Sequence, residues 1–250
     1  MLARGSNCPL IRRSGGNARP GRVCRWRQQD PPAYHGGDRS GRMKIGIIGS
    51  GNIGGTLTRR LQSLGHDVTV ANTRGPESLR DLTTESGAQA DTVEGALAGA
   101  DLVVIAIPVK AVPDLPRDAF RDLIVVDANN YYPQRDGEIP ELSDRSLSSS
   151  RWTAGHLPGT RVVKAFNNIQ AQHLLEHGKP AGEAGRIGLP VAGDDEAAKR
   201  TVMELVDQLG FDPVDAGTLD ESWRQQPDTP VYGTDRDAAG VREGLAAARP

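Results

Sequence analysis

From residue 43 onward the chain alternates short apolar runs with amphipathic stretches of helical period. "KIGIIG" (44–49) reads as a buried strand, and "IGGTLTRRLQSLGH" (53–66) places Ile53, Leu57, Leu61 and Leu64 on one helical face before Gly65 ends it. "DVTVAN" (67–72) predicts a second strand, and "PESLRDLTTESG" (76–87) a helix with Pro76 at its start. "DTVEGALAGA" predicts a short helix leading into "DLVVIAIP" (101–108), the most strongly apolar strand of the chain. "KAVPDLPRDAF" predicts a weak, proline-broken helix, and "DLIVVDANN" a further strand. After an irregular stretch come the strand patterns "RVVKAFNN" and "RIGLPVAG", the helix "DDEAAKRTVMELVDQLG", and the strand-like "FDPVDAG". Strands alternating with helices predict an α/β fold, a Rossmann-like doubly wound and mostly parallel sheet in a single domain. Ligands of such sheets bind beyond the carboxyl ends of the strands.

The first turn carries chemistry. Gly49-Ser50-Gly51-Asn52-Ile53-Gly54 is a GxGxxG between an apolar strand and a helix, the context in which that spacing binds dinucleotides. Gly49 permits the tight turn, Gly51 lets a pyrophosphate approach the backbone, and Gly54 lets the helix lie close to the sheet. The free N–H groups of Asn52 and Ile53 then face the phosphates at the positive end of the helix. A carboxylate about 20 residues further on usually holds the ribose of NAD. Here Asn72, Thr73 and Arg74 stand in that place. A hydroxyl beside a guanidinium suits a phosphate dianion, with Ser78 one turn into the next helix as a further donor, so the reading is NADP(H) over NAD(H).

The segments 105–112, 127–133 and 164–172 would meet the nicotinamide and are short of general acids and bases. Asp127, Tyr131 and Lys164 are the candidates, and Asp127 reads better as structural. Lys164 reads as a solvated or structural lysine before a catalytic one, and His156 and His173 as surface or helix-end residues. Hydride exchange with a flavin-like ring needs no proton donor, because two stacked rings held in register suffice.

Together "MKIGIIGSGNIGGTL", "VTVANTRGPESL", "DLVVIAIP", "DANNYYPQRDG", "KAFNNI", "LPVAGDDEAAK" and "GFDPVDAGTLDESW" resemble the NADPH-dependent coenzyme F-420 reductases and their NADP oxidoreductase relatives. The resemblance runs from residue 43 to about 233, and the reductase domains of membrane ferric reductases are similar in the same segments. It implies a Rossmann-like homodimer that passes hydride between NADP(H) and a deazaflavin or flavin, with no catalytic side chain. Ser50, Gly51, Asn52 and Ile53 would line the pyrophosphate, and Thr73 and Arg74 the 2′-phosphate, where the family often has a lysine near Ser78. Pro108, Val109 and Asn129 would border the cofactor, and Ala165 the nicotinamide. Tyr131, Tyr132, Asn167 and Trp223 would rim the second substrate. Two rival readings are an NADPH-dependent imine or ketone reductase and a non-enzymatic NADPH-binding sensor module.

Charge and composition add boundaries. Residues 1–42 hold nine arginines against Asp30 and Asp38, a balance of +7; the remaining 21 bases against 30 acids give −9. That acidic body disfavours nucleic acid as a partner. The Gly-, Pro- and Arg-rich residues 1–42 show no apolar periodicity and read as a disordered extension, with Met43 as the expected start. A targeting segment and a nucleic-acid arm are the alternatives for that stretch. The reductase domain is expected over 43–233, with residues 234–250 as a C-terminal tail or helix. No run approaches the roughly 18 apolar residues of a membrane span, so a cytoplasmic protein with a small-molecule redox acceptor is expected. Cys8 and Cys24 both precede the body, and five scattered histidines lead to no expected metal site.

Overall fold

The computed structural model describes residues 41–249; the expected extension lies outside the described residues up to position 40. Eight strands form one sheet: β1 (Lys44–Ile48), β2 (Asp67–Ala71), β3 (Gln89–Ala90), β4 (Leu102–Ile105), β5 (Ile124–Asp127), β6 (Arg161–Lys164), β7 (Gly188–Gly193) and β8 (Asp212–Asp215). Nine α-helices connect them among the described residues: α1 (Asn52–Ser63), α2 (Arg80–Ser86), α3 (Val93–Leu97), α4 (Pro133–Asp136), α5 (Pro140–Ser143), α6 (Ser149–His156), α7 (Ala171–Glu176), α8 (Glu196–Gln208) and α9 (Ala238–Ala247). No helix of the described residues is long and apolar enough to cross a membrane.

The strand order is β3-β2-β1-β4-β5-β6-β7-β8. The chain therefore winds outward from β1 in one direction and resumes at β4 in the other. The crevice between β1 and β4 is the topological switch point, where doubly wound sheets bind ligands. Pairing is parallel from β3 through β6, and β7 alone runs antiparallel to β6, with Val163 opposite Gly193 and Lys164 opposite Ala192. β8 then pairs in parallel with β7.

Alternation along the strands divides the core into two layers. Ile45, Ile47, Val68, Val70, Leu102, Val104 and Val126 face Leu57 and Leu61 of α1, Leu174 of α7 and Val202 and Leu205 of α8. Val103, Ile105, Val125 and Val162 face the other way, onto Ala96 and Leu97 of α3, Phe120 and Leu157. Both faces are covered, which is why these strands read as continuous apolar runs. Val241 and Leu245 of α9 pack with Val214 and Val231, so the C-terminal helix closes the β7–β8 end. The proline-broken stretch after β4 forms two 3₁₀ segments, Val109–Asp114 and Arg117–Phe120, instead of one α-helix. Pro113 inside the first removes a backbone donor and ends regular helix there.

Candidate functional site

The glycine turn sits at the switch point and is fixed by the strands beside it. Gly49 N donates to the Ala71 carbonyl of β2, and Ala106 N, just past β4, donates to Ile48 O. Gly49 has φ +109°, and a Cβ there would lie 2.2 Å from Ala106 O. A Cβ on Gly54 would lie 1.9 Å from Gly49 O, so close helix–turn packing demands glycine at that position. Gly51 differs. Its φ is −72°, and a Cβ there would meet nothing within 4 Å, so neither conformation nor packing explains the residue. Open space over a bare backbone is what close approach of a pyrophosphate requires.

Behind Gly51, α1 starts without a side-chain cap and without an acidic residue in its first turn, leaving the N–H groups of that turn directed outward. A groove of about 790 Å³ opens over Ser50, Gly51, Asn52 and Ile53, and its far wall is Gln170, Ala171, Gln172 and Leu175 at α7.

Asn72 follows β2 directly and joins the two halves of the expected nucleotide site. Its Nδ2 donates to Ser50 Oγ at 3.0 Å and to Ser78 Oγ at 3.0 Å, while its Oδ1 accepts from Arg74 N at 2.9 Å. An aspartate would present only acceptors and could not make the first two bonds as a donor. Thr73 and Arg74 are exposed in the turn this arrangement fixes, and Arg74 makes no ion pair among the described residues. Ser78 is already engaged within the turn. Its hydroxyl lies within donating distance of the Gly75 carbonyl at 2.8 Å and of Asn72 Oδ1 at 3.1 Å, at the start of the 3₁₀ turn Pro76–Leu79.

At the carboxyl end of β4, Pro108 is exposed, whereas Val109 there and Ala165 at the end of β6 have no exposed surface. Val109 turns inward in its 3₁₀ segment, and Ala165 packs in the core layer beside Phe166 and Val163, so both expected cofactor neighbours are covered by protein here. Asn129 is 3% exposed. Its Oδ1 accepts from Ile107 N at 2.7 Å, which fixes the amide orientation. The Nδ2 then has no partner, although it is buried. An unpaired buried donor is costly.

The polar side chains that were the candidates for acting on protons are engaged within the protein. Lys164 is fully buried and donates to Asn129 O, Ser149 Oγ and Ser150 Oγ at 3.0, 3.1 and 3.0 Å. Ser150 donates to Asp127 Oδ2 at 2.7 Å, and Asp127 Oδ1 accepts from Asn129 N. Burial pushes the Lys164 ammonium below the usual lysine range, and nearby Asp127 opposes that shift. Asp127 and Lys164 stand opposite one another on β5 and β6, and the network holds the Asn129 loop from below. Tyr131 Oη is bonded to Gly137 O, Ser143 Oγ and Ile139 N.

The expected rim divides into three places. Tyr131 and Trp223 border a separate cleft of about 380 Å³, together with Leu142, Arg145, Asp228 and Arg249. Tyr132 Oη instead contacts Tyr232 Oη, whose hydroxyl is pushed up by burial and by that bond. Asn167 is 4% exposed and locked by Asn130, Gln225 O and Gln225 Nε2, so it braces loops and lines no rim. Tyr232 and Gln225 carried no sequence signal, because their partners lie 100 and 58 residues away.

One further cluster lies outside these places. His173 and His177, spaced i,i+4 at α7, converge with Asp235. The HxxxH spacing was visible in the sequence; the distant aspartate was not.

The family model "NADP oxidoreductase coenzyme F420-dependent" matches residues 44–131. The crystal structure of the protein SMa0349 from Sinorhizobium meliloti is 33% identical, with a TM-score of 0.69, over 79% of this chain and 97% of that one. The F420-dependent NADP reductase of Methanothermobacter thermautotrophicus is 28% identical over 76% of this chain and 87% of its own length. Rat Metalloreductase STEAP3 is 32% identical over 70% of this chain. The chain spans 34% of the length of that metalloreductase and 56% of Escherichia coli YjhV, which is 46% identical over 77 residues, 30% of this chain.

Proposed function

This chain belongs to the coenzyme F-420-dependent NADP oxidoreductase family, and from that premise we propose that it exchanges hydride between NADP(H) and a deazaflavin- or flavin-type ring. Gly51 carries the reading: a glycine with ordinary φ and nothing within 4 Å of its missing Cβ, at the uncapped start of α1. The residues fit the nucleotide. The turn Ser50–Ile53 would receive the pyrophosphate on backbone N–H groups, Thr73 and Arg74 the 2′-phosphate, and Asn129 Nδ2 an acceptor on the nicotinamide side. When bound, NADPH supplies the hydride. The chain contributes position and exclusion of competing chemistry, since Asp127, Tyr131 and Lys164 all spend their polar atoms inside the protein. That supports ring-to-ring transfer over imine or ketone reduction, which needs a proton donor at the reacting atom.

The test is loss of NADPH absorbance with oxidised deazaflavin, FMN, FAD and ferric chelates offered in turn. Turnover with a ring acceptor is expected. NADPH binding without turnover of any ring would overturn the proposal in favour of a sensor module, and turnover of imines or ketones alone would overturn it in favour of the rival reductase.

A further inference from the structure

We propose that His173, His177 and Asp235 form a binding site for one divalent transition-metal ion of the zinc class, outside the nucleotide groove. His173 Nδ1 lies 2.8 Å from Asp235 Oδ2, and His177 Nδ1 lies 3.9 Å from the same oxygen. The two imidazoles stack with centroids 4.4 Å apart and planes within 15°. One ligand atom from each residue lies within 4.8 Å of the other two. Bonds of about 2.0–2.2 Å in tetrahedral geometry place ligand atoms about 3.3 Å apart, so the three need only small side-chain rotations to close on an ion. Two imidazoles and one carboxylate select zinc, nickel or copper over magnesium or calcium, which prefer all-oxygen shells.

A plain ion pair accounts for less of this arrangement. His173 alone makes the hydrogen bond to Asp235. His177 sits too far for one, yet it stacks on His173 with its Nδ1 3.9 Å from the same carboxylate oxygen. A shared cation uses both rings. The side of the cluster opens to a cavity of about 390 Å³, bordered by Glu176 and by Lys179. The Lys179 ammonium is tied to Ala184 O at 2.9 Å. That opening leaves a fourth coordination position to water.

The site's placement gives it a structural consequence. His173 and His177 occupy the outer side of α7, while Ala171 and Leu175 on its other side wall the groove over the glycine turn. The 231–235 segment is already joined to the loop before α7 by Gly233 N to Asn168 O and Asn168 Nδ2 to Val231 O. An ion at His173, His177 and Asp235 extends that seam along α7.

Calorimetric titration of the tag-free, full-length chain with zinc chloride tests the proposal, in a Cys8→Ser/Cys24→Ser background that removes competing thiols. Saturable binding of one ion per chain is expected, lost in His177→Ala and in Asp235→Asn. His177→Ala breaks no hydrogen bond, so its circular dichroism should match the parent. Titration of the parent with cobalt(II) gives a second readout, d–d absorption bands of an imidazole-ligated, low-coordinate ion. Absence of saturable zinc binding in the parent, or equal binding in both variants, overturns the site.

Discussion

Asn72 Nδ2 donates to Ser50 Oγ across 3.0 Å, tying the turn after β1 to the turn after β2. The residue that takes the place of the usual carboxylate thereby couples the expected pyrophosphate and 2′-phosphate sites. Asn72→Asp keeps the size but inverts the demand, placing an anion and two acceptors against Ser50 and the turn. NADPH affinity should fall by about tenfold or more, with NADH affected far less. Fluorescence titration of both nucleotides checks this; equal losses would assign Asn72 a role in loop stability only.

Arg74 is exposed and free of ion pairs among the described residues, so its replacement should leave folding intact. A charge-assisted bond to a phosphate contributes about 1.5–3 kcal/mol. Arg74→Ala should weaken NADPH by about ten- to a hundredfold and NADH hardly at all. A matching loss for NADH would remove Arg74 from the 2′-phosphate site.

The two neighbouring glycines should separate folding from binding. In Gly54→Ala the new methyl would lie 1.9 Å from Gly49 O, so thermal stability should drop sharply. In Gly51→Ala the methyl enters open space, so stability should hold while NADP(H) affinity falls. Thermal melts and nucleotide titrations of both variants distinguish the roles; unchanged affinity in Gly51→Ala would deny close approach at that turn.

His66 predicts a pH dependence. It is buried, its Nδ1 accepts from Met43 N at 3.2 Å, and its Nε2 is paired with Gln208 Oε1 at 3.0 Å. Burial holds its pKa below the ordinary 6.5; Gln208 opposes the shift and Arg42 adds to it. The unfolded chain then binds the proton first as pH falls, so stability present above pH 6.5 should decline below it. His66→Gln should flatten that decline in urea melts across the range. An unchanged slope would place the titrating group elsewhere.

Much of the site's frame was legible because its signals are local. The apolar run of β1, the glycine spacing and the face of α1 specify strand, turn and helix within about 20 residues, and the missing carboxylate after β2 lies in the same window. What escaped depends on distant pairing. The apolar run of β7 does not carry its direction, and only the register opposite β6 shows it antiparallel. Lys164 reads as a solvated or structural lysine, and only the fold decides between the two: Ser149, Ser150 and Asn129 converge on it from other segments and keep it buried. Ala165 and Val109 carry no sequence mark of which way they face, and both turn into the core. Ser78 looks like a free donor, and its partners Asn72 and Gly75 show only in the fold.

The measurement that bears most directly on the account follows deuterium from NADPH labelled at nicotinamide C4 into a deazaflavin acceptor, whose receiving carbon does not exchange its hydrogen with water. The account predicts reduced deazaflavin that retains the label when one of the two C4 diastereomers is used. Reduced deazaflavin without label from either diastereomer, or no reduction of deazaflavin, FMN or FAD by a protein that binds NADPH normally, would contradict it.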